Sequence, residues 1–191
     1  LIASVTDTDE IDISDLISAL PEGKALPEKA EYKTKLPAKM GIKVPSQVSY
    51  AVKGYHLSDT GEKLSGSLKV LDTILTYDYL WNKIRVQGGA YGAGMRVPGY
   101  GGRMFCYSYR DPSPARSLEM YDTLSDYVKE LCGGEEGIEN FIIAEIGNGE
   151  PLRAPAEQGA YADALWFMGV DDKEQIRIRK EQEEEREIYN R

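Results

Sequence analysis

The sequence predicts an α+β domain built on an antiparallel sheet. Three observations carry this. Residues 46–57, SQVSYAVKGYHL, alternate between apolar and polar side chains as a half-buried strand does. Residues 64–86 carry an apolar stripe at helical spacing. Two further strand-like runs are joined by a glycine-rich turn, and everything after them reads as helix. Strands followed by a run of helices favour helices packed on one side of a sheet.

Taken in order, LIASVT at residues 1–6 reads as a short strand of branched apolar residues. It resembles the interior of a strand more than a chain start, so a piece of a longer polypeptide is expected. Residues 7–26 hold six acids against one base, and within them 12–20 have the apolar spacing of a short helix that Pro21 ends. Residues 21–46, with Pro21, Pro27, Pro37 and Pro45, read as an extended surface connection. In the strand that follows, Val48, Tyr50 and Val52 form the apolar set and are expected to face the core.

The helix over 64–86 places Leu68, Leu71, Ile74, Leu75, Tyr79, Leu80 and Ile84 on one stripe, and Gly88-Gly89 stops it. AYGAGMRV (90–97) and RMFCYSYR (103–110) read as a hairpin around Pro98-Gly99-Tyr100-Gly101-Gly102. Ser113 and Pro114 look like the N-cap and first position of a helix that runs to Cys132 and closes at Gly133-Gly134. Helices over 136–147, 154–168 and 172–189 complete the chain, the last opened by Asp171 and Glu174 in capping-box spacing.

Composition removes several function classes. The net charge of −9 argues against a nucleic-acid partner, since it repels phosphate. No apolar run is long enough to cross a bilayer, and the acidic start is unlike a signal peptide. These features fit a soluble protein of the cytoplasm, or of an organellar matrix if the source is eukaryotic. Cys106 and Cys132 lack CxxC spacing and read as two unpaired thiols. Residues 81–110 reverse the overall charge: Lys83, Arg85, Arg96, Arg103 and Arg110 occur there with no Asp or Glu, so the rest of the chain sums to −14. A positive, tyrosine-rich stretch in an acidic chain suits a ligand that is anionic or rich in carbonyl oxygens.

Self-contained chemistry is not legible. GxGxxG fails at Val97 when started from Gly92, and at Met104 from Gly99; a P-loop started at Gly89 fails at Met95. Zinc needs several ligands, yet His56 is the sole histidine, and HExxH, HxxEH and GxSxG are absent. His56, at a strand end, reads as structural. What remains is Arg85 at a helix end and Tyr91 in the next strand, across a double-glycine turn. Held together, a guanidinium and a phenol can grip a carbonyl or stabilise an oxyanion. Equally, Arg85 suits a helix C-terminus electrostatically and Tyr91 is an ordinary strand residue.

The runs YLWNKIRVQGGAYGAGM (79–95), FCYSYRDP (105–112) and VPSQVSYAVKG (44–54) resemble the presequence-protease branch of the pitrilysin-like, or inverzincin, zinc metallopeptidases. The resemblance implies a ferredoxin-like domain, the C-terminal domain of a clamshell enzyme that encloses unfolded peptides. It implies that zinc is held by HxxEH and a distant glutamate in the N-terminal half, where the motif's Glu is the general base. It also implies that Arg85 and Tyr91 reach across the chamber as the catalytic and substrate-binding residues of this half. The expectation is therefore one C-terminal domain over 1–191 of a zinc metalloendopeptidase, inactive alone, without its own metal. Its partners would be the N-terminal half and peptide substrates. A further strand would follow the last helix in that family, so an unpaired sheet edge here predicts self-association. The competing reading is a non-catalytic domain of an inactive pitrilysin-like subunit, and a weaker one is a stand-alone peptide-binding domain.

Overall fold

A computed structural model describes residues 12–24, 37–133 and 137–189. The chain divides into two compact units, Leu1–Pro45 and Ser46–Arg191. In the first, α1 (Ser14–Ser18) is the short helix expected before Pro21, with the Asp12 carboxylate accepting from the Ser14 N–H at 2.9 Å. The described parts of 21–46 hold no helix or strand, and the strand expected over 1–6 lies outside the described residues.

The second unit opens with β1 (Ser49–His56) and continues through α2 (Gly66–Ile74), a π-helical segment (Leu75–Val86), β2 (Gly92–Arg96) and β3 (Arg103–Asp111). The strands form an antiparallel sheet in the order β1-β3-β2, with β3 central. This β-α-β-β run is part of the ferredoxin-like pattern, and the class is α+β. Then follow α3 (Pro114–Asp122), α4 (Leu124–Gly133), α5 (Glu139–Gly149), α6 (Pro155–Met168) and α7 (Asp172–Tyr189).

Leu75, Leu80 and Ile84 from the π-helical segment pack with Ala93 and Met95 of β2, Cys106 of β3 and Tyr121 of α3. A second cluster joins Val70 and Ile74 of α2 to Ile142 of α5. Helix and strand approach closely at Gly94, where a Cβ would come within 2.9 Å of Thr76. The Thr76 hydroxyl there donates to the Met95 carbonyl and accepts from the Met95 N–H, both at 3.0 Å. That clamp fixes the site's helix to the site's strand.

Four local expectations change. In β1 the buried residue is Ala51, not the Val48-Tyr50-Val52 set: Ala51 is 7% exposed, Tyr50 56% and Val52 64%. Small Ala51 lies on the face that α3 covers, where Lys53 pairs with Asp122, so the bulkier Tyr50 and Val52 are left on the open face. The helix from Gly66 changes winding at Leu75, and the Gln87 N–H reaches back five residues to the Asn82 carbonyl at 3.0 Å. The helix after Pro114 breaks at Thr123, whose hydroxyl bonds the Met120 carbonyl at 2.8 Å and lies 2.8 Å from the Tyr79 hydroxyl. Its N-terminus is capped by Asp111 rather than by the Ser113 side chain. The Asp111 carboxylate accepts from the Ser113 N–H at 2.7 Å and from the Ser117 hydroxyl at 2.6 Å. At α7 the Glu174 N–H does bond Asp171, at 2.9 Å.

Candidate functional site

Arg85 stands at the end of the π-helical segment and Tyr91 just ahead of β2. The turn between them depends on two glycines. A Cβ on Gly88 would sit 2.5 Å from the Ile84 carbonyl oxygen, and Gly89 has φ +78°. The closure is made by Ala90 N–H to Ile84 O at 3.2 Å and Gly89 N–H to Arg85 O at 3.0 Å. Both bonds span one residue more than the Schellman form, as a wider π turn requires. The Tyr91 N–H then bonds the Tyr109 carbonyl at 3.0 Å and starts the sheet.

Arg85 closes this loop with its own side chain. Its Nε–H donates to the Tyr91 carbonyl at 3.0 Å, and its guanidinium lies 4.1 Å from the centre of the Trp81 ring. The Tyr91 ring packs edge-on to Tyr109 at 5.5 Å, and Tyr109 packs on Tyr50 at 5.3 Å. A row of three tyrosines therefore crosses the open side of the sheet. Tyr91 is 66% exposed. The guanidinium of Arg110 lies over both Tyr91 and Tyr109, at 5.7 and 5.6 Å.

These side chains surround a shallow pocket of about 480 Å³, lined by Arg85, Val86, Gly89, Ala90, Tyr91 and Arg110. Among the described residues its lining contains no acid and no histidine. The pocket can donate hydrogen bonds and stabilise negative charge, but it has no general base. Arg85 and Tyr91, singled out from the sequence, are thus brought together on one wall. Arg110, Trp81 and Tyr109 were not singled out as site residues, although Arg110 belongs to the acid-free run 81–110.

The remaining candidates are placed elsewhere. The His56 ring accepts from the Ser58 N–H at 3.2 Å and lies 2.8 Å from the Ser58 hydroxyl, which makes it a turn cap. Cys106 and Cys132 are both free, and burial pushes the Cys106 thiol up to about 11, far from a reactive thiolate. Among the described residues no group of His, Cys, Asp or Glu could hold a metal ion. These residues do not fit a zinc site.

Fold and pocket together define a class: an α+β domain that offers donors, without acid or base, from one end of an antiparallel sheet. Residues 39–188 match the family described as the PreP C-terminal domain, and the chain belongs to that family. It is 33% identical over 140 residues to presequence protease 1, chloroplastic/mitochondrial, of Arabidopsis thaliana, covering 73% of this chain and 13% of that protein. It is 39% identical over 120 residues to protein HypA of Clostridium perfringens (62% of this chain, 12% of that protein). It is 30% identical over 176 residues to the mitochondrial presequence protease of Saccharomyces cerevisiae (89% and 18%). The chain thus spans less than a fifth of the length of these relatives. Among the described residues no helix is long and apolar enough to cross a membrane.

Proposed function

We propose that this chain is the C-terminal, non-zinc-binding part of a zinc metalloendopeptidase that degrades unstructured peptides, and that Arg85 and Tyr91 are its contacts to substrate. The observation that carries the reading is the pair itself. One guanidinium, braced against Trp81 and the Tyr91 carbonyl, and one exposed phenol face the same pocket. The terminal N–H groups of Arg85 bind main-chain carbonyl oxygens of an extended peptide. The Tyr91 hydroxyl donates to the oxygen on which charge develops as the scissile carbonyl is attacked. Such contacts read backbone, so the enzyme selects for flexible peptides more than for sequence. Zinc and the general base belong to polypeptide outside this chain, and the chain alone is inactive.

Its partners are the N-terminal half of the same protease and the peptide itself. When the chain is separated from that half, the outer edge of β1, which pairs with no strand among the described residues, and the exposed Tyr50 and Val52 favour self-association. The compartment is the cytoplasm, or an organellar matrix in a eukaryotic source.

Replacing Tyr91 by Phe in the polypeptide that carries the zinc-holding half should lower kcat by about 100-fold and change KM little, since it deletes one transition-state donor. Steady-state cleavage of a quenched fluorescent peptide measures this. Wild-type turnover in that variant would remove the role assigned to Tyr91.

A further inference from the structure

Arg110 reaches the pocket through a distortion of β3. Ala51 faces Ser108 while Ser49 faces Asp111, so β3 uses one more residue than β1 over this step. Cys106 and Ser108 are buried on alternate positions, and strict alternation would bury residue 110 next. The extra residue gives the buried place to Asp111, which is 1% exposed, and turns Arg110 outward. Arg110 has φ +48°, the one non-glycine at positive φ among the described residues. An L side chain is strained there, and such strain persists where neighbours hold it. Here the holder is the Asp111 carboxylate, fixed by Ser113 and Ser117. A buried carboxylate and a strained backbone together deliver one guanidinium to the face of Tyr91.

We propose that Arg110 makes this pocket a carboxylate-binding subsite, so that the preferred ligand is a peptide bearing a carboxylate next to the segment held by Arg85 and Tyr91. The inference rests on the peptide-binding reading above for its ligand class. The lining supplies two guanidinium groups, Arg85 and Arg110, and no acid to neutralise them. Arg85 has its Nε committed to the Tyr91 carbonyl and its face to Trp81. Among the described residues Arg110 is engaged through the ring faces of Tyr91 and Tyr109, which leaves the edge of its planar fork for a carboxylate. The carboxylate is either the C-terminus of a short peptide or an acidic side chain within a longer one.

The test uses the polypeptide that carries both halves and three fluorescein-labelled peptides of one neutral, flexible sequence. One ends in a free acid, one in an amide, and one in an amide with a single Gln replaced by Glu. Anisotropy should show the wild type binding the free-acid or the Glu peptide about tenfold more tightly than the neutral amide, as expected for one exposed charge-assisted contact. The arm that gains identifies the source of the carboxylate. In Arg110→Gly, which relieves the φ strain as it removes the charge, the acid-to-neutral ratio should fall to about 1; in Arg110→Lys it should fall only in part. Equal affinities in the wild type, or an unchanged ratio in Arg110→Gly, overturn the proposal. Turnover of the neutral peptide reports on Arg85 and Tyr91 separately. Reduced turnover in Tyr91→Phe without acid preference in the wild type keeps that reading and sinks this one, and acid preference with full turnover in Tyr91→Phe does the reverse. A protein that binds none of the three loses both.

Discussion

The two ends of the β2–β3 hairpin receive arginines from the same acid-free stretch and treat them in opposite ways. At one end, Arg96 donates to the Met95 carbonyl at 2.9 Å and lies 3.7 Å from the largely buried carboxylate of Asp72. Asp72 also accepts from the Val97 N–H at 2.9 Å, and Glu145 accepts from Thr73 at 2.8 Å. Burial raises both carboxyls above the ordinary range and lowers nearby Lys69. That end is an internally compensated network. At the other end Arg85 and Arg110 rest on aromatic rings in a pocket with no acid in its lining. Charge count along the sequence does not separate the two fates. The difference is whether a carboxylate arrives from another element, and α2 supplies one only to Arg96.

The comparison breaks most severely at Asp111. Asp111→Ala would leave the Ser113 N–H and Ser117 hydroxyl without their acceptor and release the bulge, costing about 3 kcal/mol by denaturant unfolding. The acid preference attributed to Arg110 should vanish with it. Near-native stability would mean that the bulge is held by something else.

A smaller effect sharpens the compensated end. Because burial raises the Asp72 carboxyl in the folded state, its contribution to stability is complete below the unfolded value of 3.8 and is lost as pH rises through the folded pKa. Asn does not titrate, so Asp72→Asn should compare worst with wild type in acid and gain on it as pH rises. Thermal unfolding across that range measures the trend. A gap that widened with pH would show Arg96 outweighing burial.

Much of this was legible because local pattern and tertiary need agreed. The hairpin, the Gly88-Gly89 stop and the Asp171 cap follow from residues whose conformational preferences leave little choice. That Arg85 and Tyr91 lie close together was legible from the short Gly88-Gly89 turn between them. The buried face of β1 was not, because apolar side chains lie on both faces and only the position of α3 decides which is covered. Nor was the π winding, since Leu75 and Leu80, five apart, sit within a stripe otherwise spaced for an α-helix. Arg110 was hidden for a related reason: one inserted residue inverts the alternation on which face assignment depends.

The most direct measurement is a double-mutant cycle on Arg85→Ala and Tyr91→Phe, read as kcat/KM for one peptide in the polypeptide carrying both halves. Two groups on one wall that grip the same substrate should couple by about 1 kcal/mol or more, so the double variant loses less than the two single losses combined. Strictly additive losses, or no loss from either change, would contradict a shared contact.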